Sequence, residues 1–289
     1  MCIQNSVKRD KNGFPREFAP GNWWLGGCFP MKANDGKGYD TGGVEEIHSH
    51  VTCYLIVGTE KTLMIDTGTP ANWEMTSDYL DRILGDRPLD WIIPTHWEVP
   101  HSGNLEKLFK KYPNSHAGGD LRDYHLAHPE YTDRLHIFEP EHRIDLGGGY
   151  AFVSLPAPIK DLTNSVWGYE EHEKVLFTSD GFSYTHHTNL VKEDDEDVFL
   201  HVEGECSLLS HEIGIYPTVQ QALFLTKAAL YWTRLTPVEP FFAEVGAMMD
   251  KYPPKYIAPA HGNVISDIEK MLPIIREAHE IAYKQGPTI

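Results

Sequence analysis

The chain has 289 residues, 41% of them apolar and 23% charged, with a mean hydropathy of −0.39, a globular composition that excludes fibrous and disordered classes. Its 25 basic residues against 42 acidic ones leave a net charge of −17. A surface that acidic repels phosphate, which argues against nucleic acid and anionic membranes as partners.

Residues 1–50 read as an irregular arm rich in Gly, Asn and Pro, packed on the body through Trp23 and Trp24. Residues 1–20 are polar and lack the apolar core of a signal peptide. No apolar run is long enough to span a bilayer. The chain is therefore expected in the cytoplasm, with Cys2, Cys28, Cys53 and Cys206, far apart and without a CxxC, as reduced thiols. Residues 51–289 read as one domain. Val51–Val57 and Thr62–Asp66 are predicted strands around a turn at 58–61, and Glu74–Leu84 a helix. Asp90–Pro94 reads as a short buried strand and Leu105–Tyr112 as a helix capped by Asn104. Tyr150–Ser154, Ser165–Tyr169 and Lys174–Thr178 read as strands, and the acidic run Glu193–Asp197 as a solvated loop. Helices over Thr218–Leu235 and Phe241–Lys251, a strand over Tyr256–Ala260 and a mostly helical Ile265–Tyr283 complete the pattern. Strands followed by helices, twice over, predict an α/β layered fold with helices outside packed sheets.

The chemistry concentrates in Thr95-His96-Trp97-Glu98-Val99-Pro100-His101-Ser102-Gly103-Asn104. Two histidines and a carboxylate on a strand-to-helix loop can converge on zinc, iron or manganese. With sixteen histidines some clusters arise by chance, so the strand ends carry the argument. Asp66, Asp180 and His261 each stand where a predicted strand finishes, lining one rim of a sheet. Asp66 reads as a strand-end acceptor rather than a ligand, and His48 and His50 as structural residues. Trp97 and Trp167 fit either a pocket wall or the core. His186 and His187 follow Asp180 on a predicted loop and fit proton carriers at the site mouth, or exposed loop histidines.

The series Tyr54-Leu55-Ile56-Val57, Ile65-Asp66-Thr67-Gly68, Thr95-His96, Ser179-Asp180-Gly181 and Pro259-Ala260-His261-Gly262 resembles the metallo-β-lactamase superfamily. The resemblance implies a four-layer αββα sandwich with a metal site at one rim. His96-x-Glu98 in place of His-x-His is similar to the flavodiiron branch, as is the segment from Tyr231-Trp232 to Ile265. The flavodoxin module of those proteins is not expected here, since the sequence ends soon after the last helix. The resemblance implies that His96 and Glu98 hold a first metal, His101 and His261 a second, and that Asp180 bridges them. Two positions depart. Pro100 stands where the family has Asp in His-x-Glu-x-Asp-His. Asp161 stands where the family has His in Ala-Pro-x-x-His, and its carboxylate is a plausible replacement ligand.

The implied cofactor is one or two divalent metal ions, iron favoured by the oxygen-rich set, with zinc or manganese as alternatives. The favoured activity is hydrolysis by metal-activated water, with Asp180, His186 and His187 in catalysis. A small neutral or aromatic molecule is the expected substrate: an ester, lactone or activated ether. A non-haem iron protein handling dioxygen is the first alternative. A subunit that lost its chemistry, paired with an active homologue, is the second. A homo-oligomer or such a hetero-oligomer is the expected assembly.

Overall fold

The computed structural model describes residues 7–32, 46–185, 189–193, 196–200, 205–213 and 217–286. Its strands are β1 (Arg16–Ala19), β2 (Asn22–Trp24), β3 (Cys28–Lys32), β4 (Glu46–His50), β5 (Tyr54–Val57), β6 (Thr62–Ile65), β7 (Trp91–Ile93), β8 (His116–Gly119), β9 (Leu135–Ile137), β10 (Arg143–Gly147), β11 (Tyr150–Pro156), β12 (Val166–Glu170), β13 (Val175–Ser179), β14 (Asn189–Glu193), β15 (Glu196–Leu200) and β16 (Tyr256–Pro259). The α-helices are α1 (Trp73–Leu84), α2 (Val99–Ser102), α3 (Leu105–Lys111), α4 (Tyr124–Ala127), α5 (Val219–Ala228), α6 (Val238–Lys251) and α7 (Ile268–Gln285).

Two sheets form the middle of the molecule. One runs β1-β2-β5-β6-β7-β8-β9, the other β10-β11-β12-β13-β16. The first is antiparallel up to β6 and parallel from β6 to β9. The second is antiparallel except for the parallel pair β13–β16. The sheets face each other through aromatic side chains: the Tyr54 ring lies 5.3 Å from Phe177, and Phe18 lies 5.8 Å from Tyr256. α1 and α3 pack on the first sheet through Tyr79, Leu80, Leu105 and Leu108. α5, α6 and α7 pack on the second through Leu223, Phe241, Met271 and Ile275. This is the αββα sandwich that the sequence implies.

Local chemistry explains the elements. α1 buries Thr76, Tyr79, Leu80 and Leu84 at helical spacing and ends at Gly85, whose φ of 55° no side chain must share. β12 and β13 are buried along their whole length, as strands covered on both faces must be. α5 starts on a capping box, in which Thr218 accepts from the Gln221 N–H while the Gln221 side chain accepts from the Thr218 N–H.

Several expectations change in detail. Residues 16–24, within the supposedly irregular arm, form β1 and β2 and extend the first sheet. Trp24 is fully buried there, edge-on to Phe14 at 5.0 Å. The helix expected over 218–235 ends at Ala228, and Tyr231–Leu235 is a 3₁₀ turn. In that turn the Thr233 hydroxyl bonds the Leu230 carbonyl. The Trp232 indole N–H bonds the Lys160 carbonyl, beside Asp161. The acidic run falls at a hairpin of β14 and β15, with 194 and 195 outside the described residues. No helix among the described residues is long and apolar enough to cross a membrane.

Candidate metal centre

Four strands deliver the site. β6 ends before Asp66, β7 leads into Thr95-His96-Trp97-Glu98, β13 ends before Asp180, and β16 ends before His261. Asp161 comes from the loop between β11 and β12. Hydrogen bonds join the sheets just beneath this rim: the Tyr54 hydroxyl donates to the Pro259 carbonyl at 2.7 Å, and the Thr52 N–H to the Ala260 carbonyl at 3.2 Å. The turns are tight. Asp66 and Ser179 hold left-handed φ angles of 59° and 50°, which side-chain-bearing residues seldom adopt and which cluster at functional sites. Gly262, at φ 122°, lies so close to Tyr184 that an added Cβ would sit 2.9 Å from its ring.

The expected ligands converge. His96 Nε2 lies 3.6 Å from Asp180 Oδ2 and 3.9 Å from carboxylate oxygens of both Glu98 and Asp161. His101 Nε2 and His261 Nε2 lie 3.3 and 3.2 Å from Asp180 Oδ1. The two oxygens of Asp180 therefore face two different sets: His96, Glu98 and Asp161 on one side, His101 and His261 on the other. His186 and His187 lie outside the described residues.

The fit to a cation can be tested on unsatisfied atoms. Nε2 of His96, Nε2 of His101 and both Asp180 oxygens are buried with no hydrogen-bond partner among the described residues. Buried polar atoms left unpaired cost about 1–3 kcal/mol each, more when charged, so such a cluster needs an occupant. Metal–nitrogen and metal–oxygen bonds of about 2.1 Å at a tetrahedral angle place two ligand atoms about 3.4 Å apart. The observed 3.2–3.9 Å spacings bracket that value. Charge points the same way. Burial, then the charges of Asp180 and Glu98, push the Asp161 carboxyl up to about 7, the mark of surplus negative charge that a cation would relieve. Burial opposes ionisation of Asp180, but the adjoining imidazoles of His101 and His261 hold its carboxyl well below the usual range.

A network behind the ligands aims them. His101 Nδ1 lies 2.9 Å from Asp66 Oδ2, and Asp66 Oδ1 accepts both the N–H and the hydroxyl of Thr95 at 2.8 Å. Thr95 Oγ1 lies 2.8 Å from Ser179 Oγ, which lies 3.1 Å from His96 Nδ1. An ionised Asp66 can only accept, so the donors line up in one direction: His96 Nδ1–H to Ser179, Ser179 to Thr95, Thr95 to Asp66, with His101 Nδ1–H to Asp66 directly. His261 Nδ1 lies 2.5 Å from the His50 carbonyl and donates to it. Each ring thus has an acceptor for a proton on Nδ1, an arrangement that would leave the Nε2 lone pair for a metal at the centre. The strand-end reading of Asp66 agrees with this geometry. Thr95 and Ser179 stand in the motif series by position only, and nothing in the sequence marks their bonding role or that of the His50 carbonyl.

Of the two tryptophans, Trp167 is fully buried in the core. Trp97 is 41% exposed, stands edge-on to Tyr124 at 4.4 Å and lines a cavity of about 430 Å³ with Arg122, Leu126, Thr163 and Asn164. Trp97 stands between His96 and Glu98 in the chain, but none of the candidate ligands lines this cavity. Pro100 lies in α2, one residue before His101.

Comparison with known proteins follows the same lines. Residues 48–261 match the Metallo-beta-lactamase superfamily, and the chain belongs to that family. The anaerobic nitric oxide reductase flavorubredoxin of Pectobacterium carotovorum is 28% identical over 142 residues, 46% of this chain and 27% of the relative. The coenzyme F420H(2) oxidase of Methanocaldococcus jannaschii is 28% identical over 140 residues, 45% of this chain and 33% of the relative. The chain thus matches about a quarter to a third of the length of these curated relatives. Among solved structures, rubredoxin oxygen:oxidoreductase of Desulfovibrio gigas superposes with a TM-score of 0.65 at 18% identity, over 94% of this chain and 62% of the other. The flavodiiron protein of Giardia intestinalis gives 0.62 at 19% identity, over 93% and 59%. The region shared with these relatives is the β-lactamase-like domain of flavodiiron proteins.

Proposed function

We propose that this chain holds two non-haem iron ions at the sheet rim and reduces dioxygen or nitric oxide with electrons from a separate donor. The observation that carries the reading is the division of ligands over the two oxygens of Asp180. His96, Glu98 and Asp161 would hold one ion and His101 and His261 the other, with Asp180 shared. Carboxylates and imidazoles with open positions suit iron better than a thiolate-rich or closed set would. The relatives named as a nitric oxide reductase and a coenzyme F420H(2) oxidase favour redox chemistry over hydrolysis, the activity expected from sequence. Iron bound here would supply the one-electron steps that no side chain of the site can. The protein's part is to keep the Nε2 lone pairs aimed inward through Asp66, Thr95 and Ser179, and to hold the acidic groups close enough that only a cation relieves them.

One observation favours a second reading. The cavity beside Trp97 is larger than a diatomic gas needs, and its Trp97 and Leu126 walls, with Arg122 and Asp123 at the polar side, suit an aromatic ester, lactone or ether held near the rim rather than on the ligands themselves. A single experiment separates the two. Iron-loaded protein is reduced without oxygen, then mixed with measured dioxygen or nitric oxide, and separately with an aryl ester under argon. Gas consumption with reoxidation of the iron is the expected result. Ester hydrolysis under argon with no gas consumption would overturn the redox reading.

A further inference from the structure

A second cluster of metal-binding side chains lies behind the rim. β3 and β4 pair antiparallel with Cys28 opposite His50, and His48 shares the face of β4 with His50 two residues away. Cys206 reaches the same spot from a 3₁₀ turn at Glu205–Ser207. One ligand atom each of Cys28, His50 and Cys206 lies within 4.8 Å of the others. His48 Nδ1 is 3.7 Å from Cys28 Sγ. His50 and Cys206 are fully buried and His48 nearly so, and the His50 ring lies against those of Trp24 and Phe14. The cysteines that sequence separates are thus brought together, and histidines read as structural stand between them.

We propose that Cys28, His50 and Cys206 form a zinc site distinct from the rim centre, which His48, beside Cys28 but outside the group of three, closes by turning in as the fourth ligand. The chemistry of the donors carries this. Two thiolates and two imidazoles are the softer set that zinc takes in structural sites, whereas the rim offers only imidazole and carboxylate. The two places therefore select different metals. Zn–S of about 2.3 Å and Zn–N of about 2.05 Å at a tetrahedral angle put sulfur and nitrogen about 3.6 Å apart, close to the Cys28–His48 spacing. His50 Nε2 lies 2.9 Å from the Cys206 carbonyl. A proton on Nε2 donated there leaves the Nδ1 lone pair for the metal, the outer hydrogen bond that ligating histidines usually keep. Binding releases the two thiol protons to solvent. Two thiolates then neutralise Zn²⁺, so no net charge is buried.

The site has a consequence for the rim. The His50 carbonyl is the acceptor that orients His261. The Cys206 carbonyl, and that of Leu208, accept from the Asn263 amide two residues beyond His261. Zinc at Cys28–His50–Cys206 clamps the backbone on both sides of that ligand.

The test uses the full chain, stripped of metal under reductant and titrated anaerobically with cobalt(II), read by the sulfur-to-cobalt charge-transfer band. The rim has no sulfur and cannot give this band. We expect one thiolate-bound equivalent per chain, displaced by one equivalent of zinc. The band persists when the rim is disabled by His96→Ala with His101→Ala, and is lost in Cys28→Ser and in Cys206→Ser. Should the serine variants fail to fold, the parent chain decides: one equivalent of zinc slows alkylation of Cys28 and Cys206, mapped by peptide mass, by about 10-fold or more. Absence of the band in reduced parent protein, its survival in Cys28→Ser, or alkylation unaffected by zinc would overturn the proposal. So would a Cys28–Cys206 disulfide in thiol-blocked cell extract that leaves the reduced protein unable to take cobalt.

Discussion

Replacing Asp66 by Asn keeps the shape of the side chain and changes the acceptor that faces His101. The Asn oxygen can still take the Thr95 N–H and hydroxyl now held by Oδ1. Its NH₂ then points at His101 Nδ1, 2.9 Å away in the parent, and two donors meet. His101 is fully buried, away from bulk solvent. It must move its proton to Nε2, the atom that faces Asp180 and the metal position. A hydrogen bond to a charged group contributes about 1.5–3 kcal/mol, and loss of such outer partners lowers metal affinity about 10–100-fold, or about 1.4–2.7 kcal/mol. The assay is equilibrium metal titration of metal-free parent and Asp66→Asn, with urea denaturation of both metal-free forms to show that the fold survives. Affinity equal to the parent's in a folded variant would refute the assignment of the Nδ1 proton and, with it, the directed network from His96 to Asp66.

Four further outcomes are expected. Asp161→Ala should lower bound metal, measured by plasma mass spectrometry; unchanged content would remove Asp161 from the ligand set. Pro100→Asp adds a carboxylate one residue before His101 in α2 and should tighten the weaker of two binding events in a metal titration. Ser179→Ala breaks the link between His96 and Thr95 and should weaken metal binding by about 10-fold while leaving His101 aimed. His279, enclosed by Phe241 and Phe242 at 5.5 Å each, has its pKa lowered by burial from 6.5 to about 3. The folded form stays neutral while the unfolded chain takes a proton below 6.5. Its contribution is therefore complete above that pH and is lost as pH falls toward 3, by about 2 kcal/mol at pH 5. His279→Leu should flatten the stability curve between pH 6.5 and 4, measured by urea denaturation.

What the sequence makes legible follows from where patterns are enforced. A strand buried on both faces must be a short apolar run, so β6, β7, β13 and β16 stand out, and the polar residue ending each is conspicuous. That is why Asp66, His96, Asp180 and His261 are visible in the amino-acid order itself. Asp161 is visible only through the family resemblance, because the loop between β11 and β12 has no pattern of its own. β8, His-Ala-Gly-Gly, escapes the strand reading because its glycines have no side chain to alternate. Its place is set instead by parallel pairing with β7 and β9. β1 and β2 escape because they are short and lie among turn residues. Burial of Trp24 and pairing with β5 make them part of the sheet.

The remaining gap lies in groups whose meaning depends on distance across the fold. Thr95 and Ser179 are ordinary strand-end hydroxyls in sequence. Only the meeting of β7 and β13 at the rim brings Thr95 Oγ1 to 2.8 Å from Ser179 Oγ and turns them into one path from His96 to Asp66. Cys28 and Cys206 are likewise silent until the β3–β4 pairing and the 205–207 turn meet. Both cases have the same cause: a ligand is recognised by its own type, whereas the group that orients it is recognised only by its neighbour. A variant that keeps every metal-facing residue and changes only Thr95 to Val separates these two kinds of information. Valine keeps the volume but can neither accept from Ser179 nor donate to Asp66, and it leaves the Oδ1 side of Asp66 with one donor instead of two. With the residues facing the metal intact, weakened binding in a folded Thr95→Val chain would show that orientation, and not ligand identity alone, sets the affinity of the centre. Binding unchanged from the parent would show that the rim's backbone alone holds the imidazoles in place.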